Sequence, residues 1–168
     1  MTAAVRPATE RDVDQLIAAE DSAASRAHLR ARWDQQSRGE ALFLLAFRDD
    51  AVVGHTMLLR DSNYAEVRVA HEPAEINALA AYVRRTGVGT ALIAAAEEIA
   101  AGEWGRRTIG LAVGLDNPSA RRLYERLGYR GWGRGAVFDE WSEQNEHGTV
   151  VRNHRDACDY LLKAFNAD

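Results

Sequence analysis

The chain has 168 residues, a formal net charge of −4, 46% hydrophobic and 27% charged residues. At about 150 residues per domain, one domain spanning residues 1–168 is expected, long enough to bury roughly 70% of its unfolded surface without staples. The lone cysteine, Cys158, excludes an internal disulfide framework and a Cys-rich zinc site, and the mild acidity argues against a protein built to grip nucleic-acid backbones.

Met1–Arg11 lacks the basic flank and apolar core of a signal peptide. No run reaches the roughly 20 apolar residues of a membrane span. Cytoplasmic residence, without nucleic-acid or membrane partners, is therefore the expectation. Val5-Arg6 reads as a brief strand stopped by Pro7, and Thr9 as an N-cap with Asp12 completing a variant capping box. Val13, Leu16 and Ile17 share one helical face. A second helix is predicted over Arg26–Gln36 from the Leu29/Trp33 spacing. Leu42–Phe47 and Ala51–Leu59, joined by Arg48-Asp49-Asp50, predict an antiparallel hairpin. Glu75–Val83 is apolar almost throughout, as for a strand covered on both faces.

Val88–Ala101 is an amphipathic helix with Leu92, Ala95, Ala96 and Ile99 on one side. Thr108–Val113 is a strand. Asn117-Pro118 opens a helix and Gly128 closes it. Tyr129–Trp132 and Ala157–Phe165 are the last predicted strands. The polar stretch Gly133–Asp156 between them is long enough to be a functional loop. The order β-α-α-β-β-β-α-β-α-β-β describes a mixed α/β domain.

Arg84-Arg-Thr-Gly87-Val-Gly89-Thr90 sits where a strand passes into a helix. Glycines there free backbone N–H groups at a helix N-terminus, a ready anion site, and Arg84 can add a charge-assisted contact. A dinucleotide fingerprint is excluded by Leu92 in its sixth position, and a Walker A loop by the missing lysine. About 30 residues on comes Asn117-Pro-Ser-Ala120-Arg-Arg-Leu123-Tyr124-Glu-Arg-Leu-Gly128-Tyr129. Together, R-x-x-G-x-G and N-x-x-A-x-x-L-Y-x-x-x-G-Y resemble the GNAT superfamily of acyl-CoA-dependent N-acyltransferases, most densely over Glu75–Trp132.

The resemblance implies a predominantly antiparallel sheet splayed between its fourth and fifth strands. It implies acetyl-CoA as cosubstrate, with the pyrophosphate on the N–H groups of Gly87, Val88, Gly89 and Thr90 beside Arg84. The strand segment with Leu79, Ala81, Tyr82 and Val83 would pair with the pantetheine arm, and Asn117 would bond the pantetheine or acyl end. Tyr124 would face the thioester sulfur as general acid. Glu75 is the expected base, directly or through water, with His71 and Glu72 as alternatives. A homodimer is a family-level expectation.

Simpler readings compete at these positions. Asn117 is explained as a cap, Tyr124 as a core aromatic, and Glu75 as a solvated carboxylate at a strand end. Arg122 and Arg126 are either near the CoA 3′-phosphate or solvated. The 20 arginines against one lysine, Lys163, also fit a compositional bias. His55 reads as structural and Cys158 as a buried apolar residue. His28, His55, His71, His147 and His154 form no metal spacing, so no metal is expected.

Aminolysis of a thioester needs a neutral amine, and an alkylamine of pKa near 10.4 is only about one part in 10³ neutral at pH 7. A base is therefore required. The expected reaction is acetyl transfer from acetyl-CoA to a small-molecule primary amine in a ternary complex. A protein N-terminal or lysine acetyltransferase and a non-catalytic acyl-CoA-binding module are the alternatives. The net charge disfavours an acylator of charged tRNA. In the family the acceptor enters opposite CoA, which points to Arg26–Arg38 and to Gly133–Asp156. In the latter stretch the acidic residues Asp139, Glu140, Glu143 and Glu146 around Trp141 either steer a cationic amine or belong to a solvated polar loop, with His147, Arg152, His154 and Arg155 partly cancelling their charge.

Overall fold

The computed structural model describes residues 2–145 and 147–166. Strand β1 (Ala4–Pro7) leads to helices α1 (Glu10–Ala19) and α2 (Ala23–Ser37), then to the hairpin β2 (Ala41–Arg48) and β3 (Ala51–Leu59). Helix α3 (Ala65–His71) precedes β4 (Ala74–Ala81). Helix α4 (Val88–Glu98) runs into a π-helical turn at Ile99–Glu103, followed by β5 (Thr108–Gly114) and α5 (Pro118–Arg126). Strands β6 (Arg130–Gly131), β7 (Val137–Gln144) and β8 (Val150–Ala164) complete the chain. One sheet holds all eight strands in the order β1-β2-β3-β4-β5-β8-β6, with β7 paired to β8.

Local sequence explains most boundaries. Thr9 Oγ1 accepts from the Asp12 N–H while Asp12 accepts from the Thr9 N–H at 2.8 Å, a reciprocal cap on α1. Arg6 adds two bonds to the same carboxylate, at 2.6 and 3.1 Å. Helix α5 starts at the Asn117 cap with Pro118 behind it, and Gly128 takes the positive φ of 98° that ends the helical run. Helices α1 and α2 cover one sheet face, where Val13, Phe43, Leu45, Met57 and Leu59 are buried with Leu29 and Trp33 against them. Helix α4 covers the other, packing Leu92, Ile93 and Ala96 onto Leu44, Leu58, Ile109 and Leu111. Gly54 permits that approach: a Cβ there would lie 2.7 Å from both the Ala80 carbonyl oxygen and a Val88 methyl.

Three expectations need correction. Helix α3 occupies a stretch without strong periodicity, where Val67 is its one buried residue. The stretch 133–156 is no loop for most of its length: β7 and the first half of β8 form a hairpin in register from Val137↔Cys158 to Gln144↔Val150. Its charges alternate with cross-strand partners rather than with an apolar face, which hid the strand period. Strand β4 is covered on both faces only at Ala74–Ile76 and ends at Ala81, because its parallel partner β5 pairs with it only at Ala74↔Ile109 and Glu75↔Gly110. Beyond that point the two strands part.

The Arg6–Asp12–Thr9 cluster makes a pH-dependent prediction. The bonds from Arg6 and Thr9 hold the Asp12 carboxyl well below the usual carboxylate range. Its contribution is therefore present above the unfolded-state pKa of about 3.9 and is lost as the pH falls through the folded value. Asp12→Ala should lower stability by about 1 kcal/mol at pH 7, with the gap to the parent closing in urea titrations below about pH 4. A gap constant across pH would contradict the assignment.

Candidate active site

The parting of β4 and β5 creates the site, and a bulge sharpens it. Between His55↔Ala80 and Met57↔Asn77, β3 advances two residues while β4 advances three, so Ala78 and Leu79 oppose Thr56 alone. Ala78 takes a φ of 52°, the left-handed region that a non-glycine residue seldom occupies. The carbonyl of Asn77 is met by Thr56 Oγ1 at 3.0 Å. The extra residue reverses which side chains face which way. Leu79, Ala81 and Val83 turn toward α4 and α5, and Tyr82 turns to the α2 face, where its hydroxyl lies 2.7 Å from Nδ1 of His55.

Three cavities meet around this bulge. The first, about 840 Å³, lies between the end of β4 and the helices α4 and α5. Gly87 is the N-cap of α4 with φ 77° and no side chain caps the helix, so its first N–H groups face the cleft. Thr86 Oγ1 closes the preceding turn on the Val83 carbonyl at 2.8 Å, and Arg48 braces it through the Thr86 carbonyl at 3.1 Å. A Cβ at Gly89 would meet nothing within 4 Å, so the glycine there leaves open space. Arg84, Arg85, Arg122 and Arg126 line this cleft and no carboxylate does. In a chain of net charge −4, that is a concentrated anion-binding field.

The second cavity, about 190 Å³, occupies the gap between the strands, with Glu75, Asn77, Ala78, Leu111, Asp139 and Tyr64 in its wall. Leu79, Asn117, Ala120 and Tyr124 line both this cavity and the arginine-rich cleft, so they mark the junction. The Asn117 carbonyl oxygen is engaged by the Ala120 N–H at 3.2 Å, which leaves its amide N–H₂ for a ligand. The Tyr124 hydroxyl makes no hydrogen bond among the described residues, and burial raises its pKa, keeping it protonated.

Glu75 is 1% exposed, not a solvated strand end. Its carboxylate accepts from the hydroxyls of Ser62 and Tyr160, the latter at 2.8 Å, and from the Asn63 N–H at 3.2 Å. Burial pushes its pKa up, opposed by these three donors and assisted by the charge of Asp139. Tyr160 reaches it because residue 110 on the adjoining strand is glycine. Asp139 accepts from the Tyr64 hydroxyl and from Cys158 Sγ at 3.6 Å. The buried Cys158 thiol is pushed up to about 11 by burial and by that carboxylate, so it stays protonated.

The third cavity, about 430 Å³, lies under α2 and meets the second at Asn77 and Ala78.

Of the residues expected from sequence, Leu79, Ala81, Val83, Arg84, Gly87, Val88, Gly89, Thr90 and Asn117 gather on the large cleft, and Arg122 and Arg126 join them. Tyr124 belongs to both cavities and Glu75 to the inner one. Tyr82 does not join the cleft, because the bulge and the strand end at Ala81 send its ring to the opposite face. His71 stacks edge-on against Trp132 and Glu72 caps α3, both outside the inner cavity. The acidic residues of the late hairpin are largely engaged: Glu143 with His154 at 3.2 Å, Glu140 with Arg155 at 3.4 Å, and Asp139 with Tyr64. Glu146 lies outside the described residues. Sequence reading missed Ser62 and Tyr160, the donors on Glu75. It also missed Asn77, whose polar side chain interrupting an apolar strand was the one signal of a bulge.

Among the described residues no group of three His, Cys, Asp or Glu side chains is placed to hold a metal ion. No helix among them is long and apolar enough to cross a membrane.

Such a cleft, opening between parted parallel strands beside a glycine-turned helix, defines an acyl-CoA-dependent N-acetyltransferase. The chain belongs to the acetyltransferase (GNAT) family, whose sequence profile matches residues 10–129. Its fold is similar to that of a ribosomal-protein-alanine N-acetyltransferase from Brucella melitensis, at 19% identity and a TM-score of 0.66, covering 96% of this chain and 99% of that one. A GNAT superfamily phosphinothricin acetyltransferase from Sinorhizobium meliloti, in complex with acetyl-CoA, aligns at 18% identity and TM-score 0.67 over 99% and 90% of the two chains. The PaiA N-acetyltransferase of Thermoplasma acidophilum, in complex with coenzyme A, aligns at 18% and 0.60 over 98% and 100%. No curated protein matches the sequence.

The crowding at Gly110 is testable. A Cβ there would lie 2.6 and 2.7 Å from two ring carbons of Tyr160. Gly110→Ala should cost about 1–3 kcal/mol in chemical unfolding, and an unchanged midpoint would show that Tyr160 has room to step aside.

Proposed function

We propose that this protein transfers an acetyl group from acetyl-CoA to a primary amine of a small molecule, by direct attack in a ternary complex, acting as one catalytic domain. The observation that carries the reading is the junction. Tyr124, with an unengaged protonated hydroxyl, stands where the arginine-rich cleft opens into a cavity walled by a buried carboxylate. The uncapped N–H groups at Gly87–Thr90 and the guanidinium of Arg84 suit the CoA pyrophosphate. Arg122 and Arg126 suit its remaining phosphate, and the open edge of β4 at Leu79–Ala81 suits the pantetheine amides. An inner cavity of about 190 Å³ has room for a two-carbon acyl group.

In this reading the acceptor ammonium first loses a proton to Glu75, directly or through one water. The neutral nitrogen then attacks the thioester carbonyl carbon. An N–C bond forms, the C–S bond breaks, and the departing thiolate takes the proton of the Tyr124 hydroxyl. The second proton of the attacking nitrogen passes, through water, to the Tyr124 phenolate, and Glu75 releases the first to solvent, so one proton is set free for each acetyl group transferred. The chain's own groups supply general acid and base with opposite requirements. Tyr124 must be protonated and Glu75 ionised, and burial favours the first while setting a lower pH limit for the second.

Three variants test this. Tyr124→Phe should lower kcat by about 10²-fold with little change in acetyl-CoA affinity, measured by thiol release. Glu75→Gln keeps a carbonyl acceptor for Ser62 and Tyr160, so it should fold, yet lose about 10²-fold or more in kcat/KM. The acidic limb of the parent's pH profile should lie above the ordinary glutamate value of about 4.3 and vanish in that variant. Arg84→Ala should weaken CoA binding about tenfold, an effect that shrinks at high salt. Unchanged turnover in Tyr124→Phe would overturn the role given to Tyr124, and no amine-dependent thiol release from any amine would overturn the reading. A peptide-only acceptor range, or tight acetyl-CoA binding to the parent without transfer, would replace it with a protein acetyltransferase or a binding module respectively; in the latter case Arg84→Ala would separate genuine cleft binding from nonspecific association.

A further inference from the structure

The cavity under α2 holds a cation that the fold does not use. Arg32 lies on the sheet-facing side of α2, next to the packed Trp33, with its guanidinium carbon 5.7 Å from the centre of the Phe43 ring. It lines the α2 cavity and makes no hydrogen bond or ion pair among the described residues. The groups facing it are neutral near pH 7. His55 is driven down to about 4 by burial and by Arg32 itself, and burial raises the Tyr82 phenol. Burial also lowers Arg32 from its ordinary value. A half-buried guanidinium among neutral rings gives up hydration and recovers only a modest cation–π attraction.

The other charges of that cavity are balanced at its mouth. Arg38 bonds Glu40, Nε to Oε1 at 2.9 Å, and Asp34 acts on Arg38. His28 completes the charged or titratable side chains in the wall. Arg32 is thus the guanidinium there without a counter-charge among the described residues. The floor is Met57 and Leu59, and the far end is Asn77 and the bulged Ala78, shared with the inner cavity. An amine presented to the inner cavity from this side leaves the rest of its molecule beside Arg32.

We propose that Arg32 binds an oxyanion carried by the acceptor, so that the preferred acceptor is an amine that also bears a carboxylate or a phosphate-type group. This rests on the N-acetyltransferase reading and extends it to a substrate class. A planar five-donor guanidinium pairs such groups two-pronged, and the apolar floor takes the carbon chain between the amine and the anion. On the late hairpin, Glu140 and Glu143 are already paired across the strands with Arg155 and His154.

The test is a matched panel: glycine, β-alanine, 4-aminobutyrate and L-methionine with the carboxamide of each, L-glutamate with its diamide, and 2-aminoethylphosphonate with propylamine. Transfer is read by thiol release, and binding by calorimetry on the CoA-loaded protein, which needs no turnover. At least one carboxylate or the phosphonate should exceed its uncharged counterpart tenfold or more in kcat/KM, and which of them does identifies the anion. Arg32→Met, which keeps the packing volume, should bring that ratio to about one while acetyl-CoA affinity holds; Arg32→Lys should retain part of it. Equal use of acids and amides, or a preference that survives Arg32→Met, overturns the proposal while leaving the acetyltransferase reading intact. Arg32-dependent binding of an anionic amine without transfer to any amine sinks the acetyltransferase reading instead and leaves the Arg32 site. Failure of every anionic amine to bind or react overturns the site.

Discussion

The candidate site of this protein depends on two parallel strands that stay together for two residues and then separate. At Ala74 and Glu75, β4 still pairs with β5; beyond, each has an edge with no neighbour. An unpaired edge in a sheet interior leaves backbone donors and acceptors to be satisfied by something else. Here that gap is walled by Leu111 on one side, the bulge at Ala78 on the other, and closed below by the Glu75 carboxylate. The bulge does a second job: by adding one residue it gives the remainder of β4 one face toward α4 and α5 and the other toward α2. A single short strand therefore borders both the arginine-rich cleft and the cavity under α2.

Charge is distributed with the same economy. The molecule is net acidic, yet four arginines line one cleft without a carboxylate among them. The sole lysine is structural, held at 3.0 and 2.9 Å by the two carboxylate oxygens of Glu97, which also accepts from Tyr129. On the late hairpin, the Arg155 guanidinium lies 3.7 Å over the centre of the Phe138 ring, and Trp141 stacks on His154 at 3.8 Å. Those contacts use the hairpin's polarity internally.

The arginine-lined cleft was legible in the sequence because its features are local. Arg84, Gly87, Gly89 and Asn117 lie within turns and caps whose residue types report backbone conformation directly. The capping box at Thr9 and the helix stop at Gly128 were readable for the same reason. The remainder needed long-range pairing. Nothing near Glu75 announces that Ser62 and Tyr160 will both donate to it, since one comes from a connecting turn and the other from a strand 85 residues away. The displacement of Tyr82 follows from one inserted residue, which no periodicity reveals when the surrounding strand is apolar on both faces. The late hairpin escaped because charged strands paired to each other lack the apolar alternation by which strands are recognised.

The placement of the bulge has a consequence for traffic. The large cleft opens toward α4 and α5 and the smaller one toward α2, on opposite faces of the sheet, and they communicate around Asn77, Ala78 and Tyr124. Under the proposed reaction, two molecules meeting there would approach through separate doors and depart through them. Neither would have to wait for the other to clear a shared corridor, so affinities rather than obstruction would set the sequence of arrivals and departures.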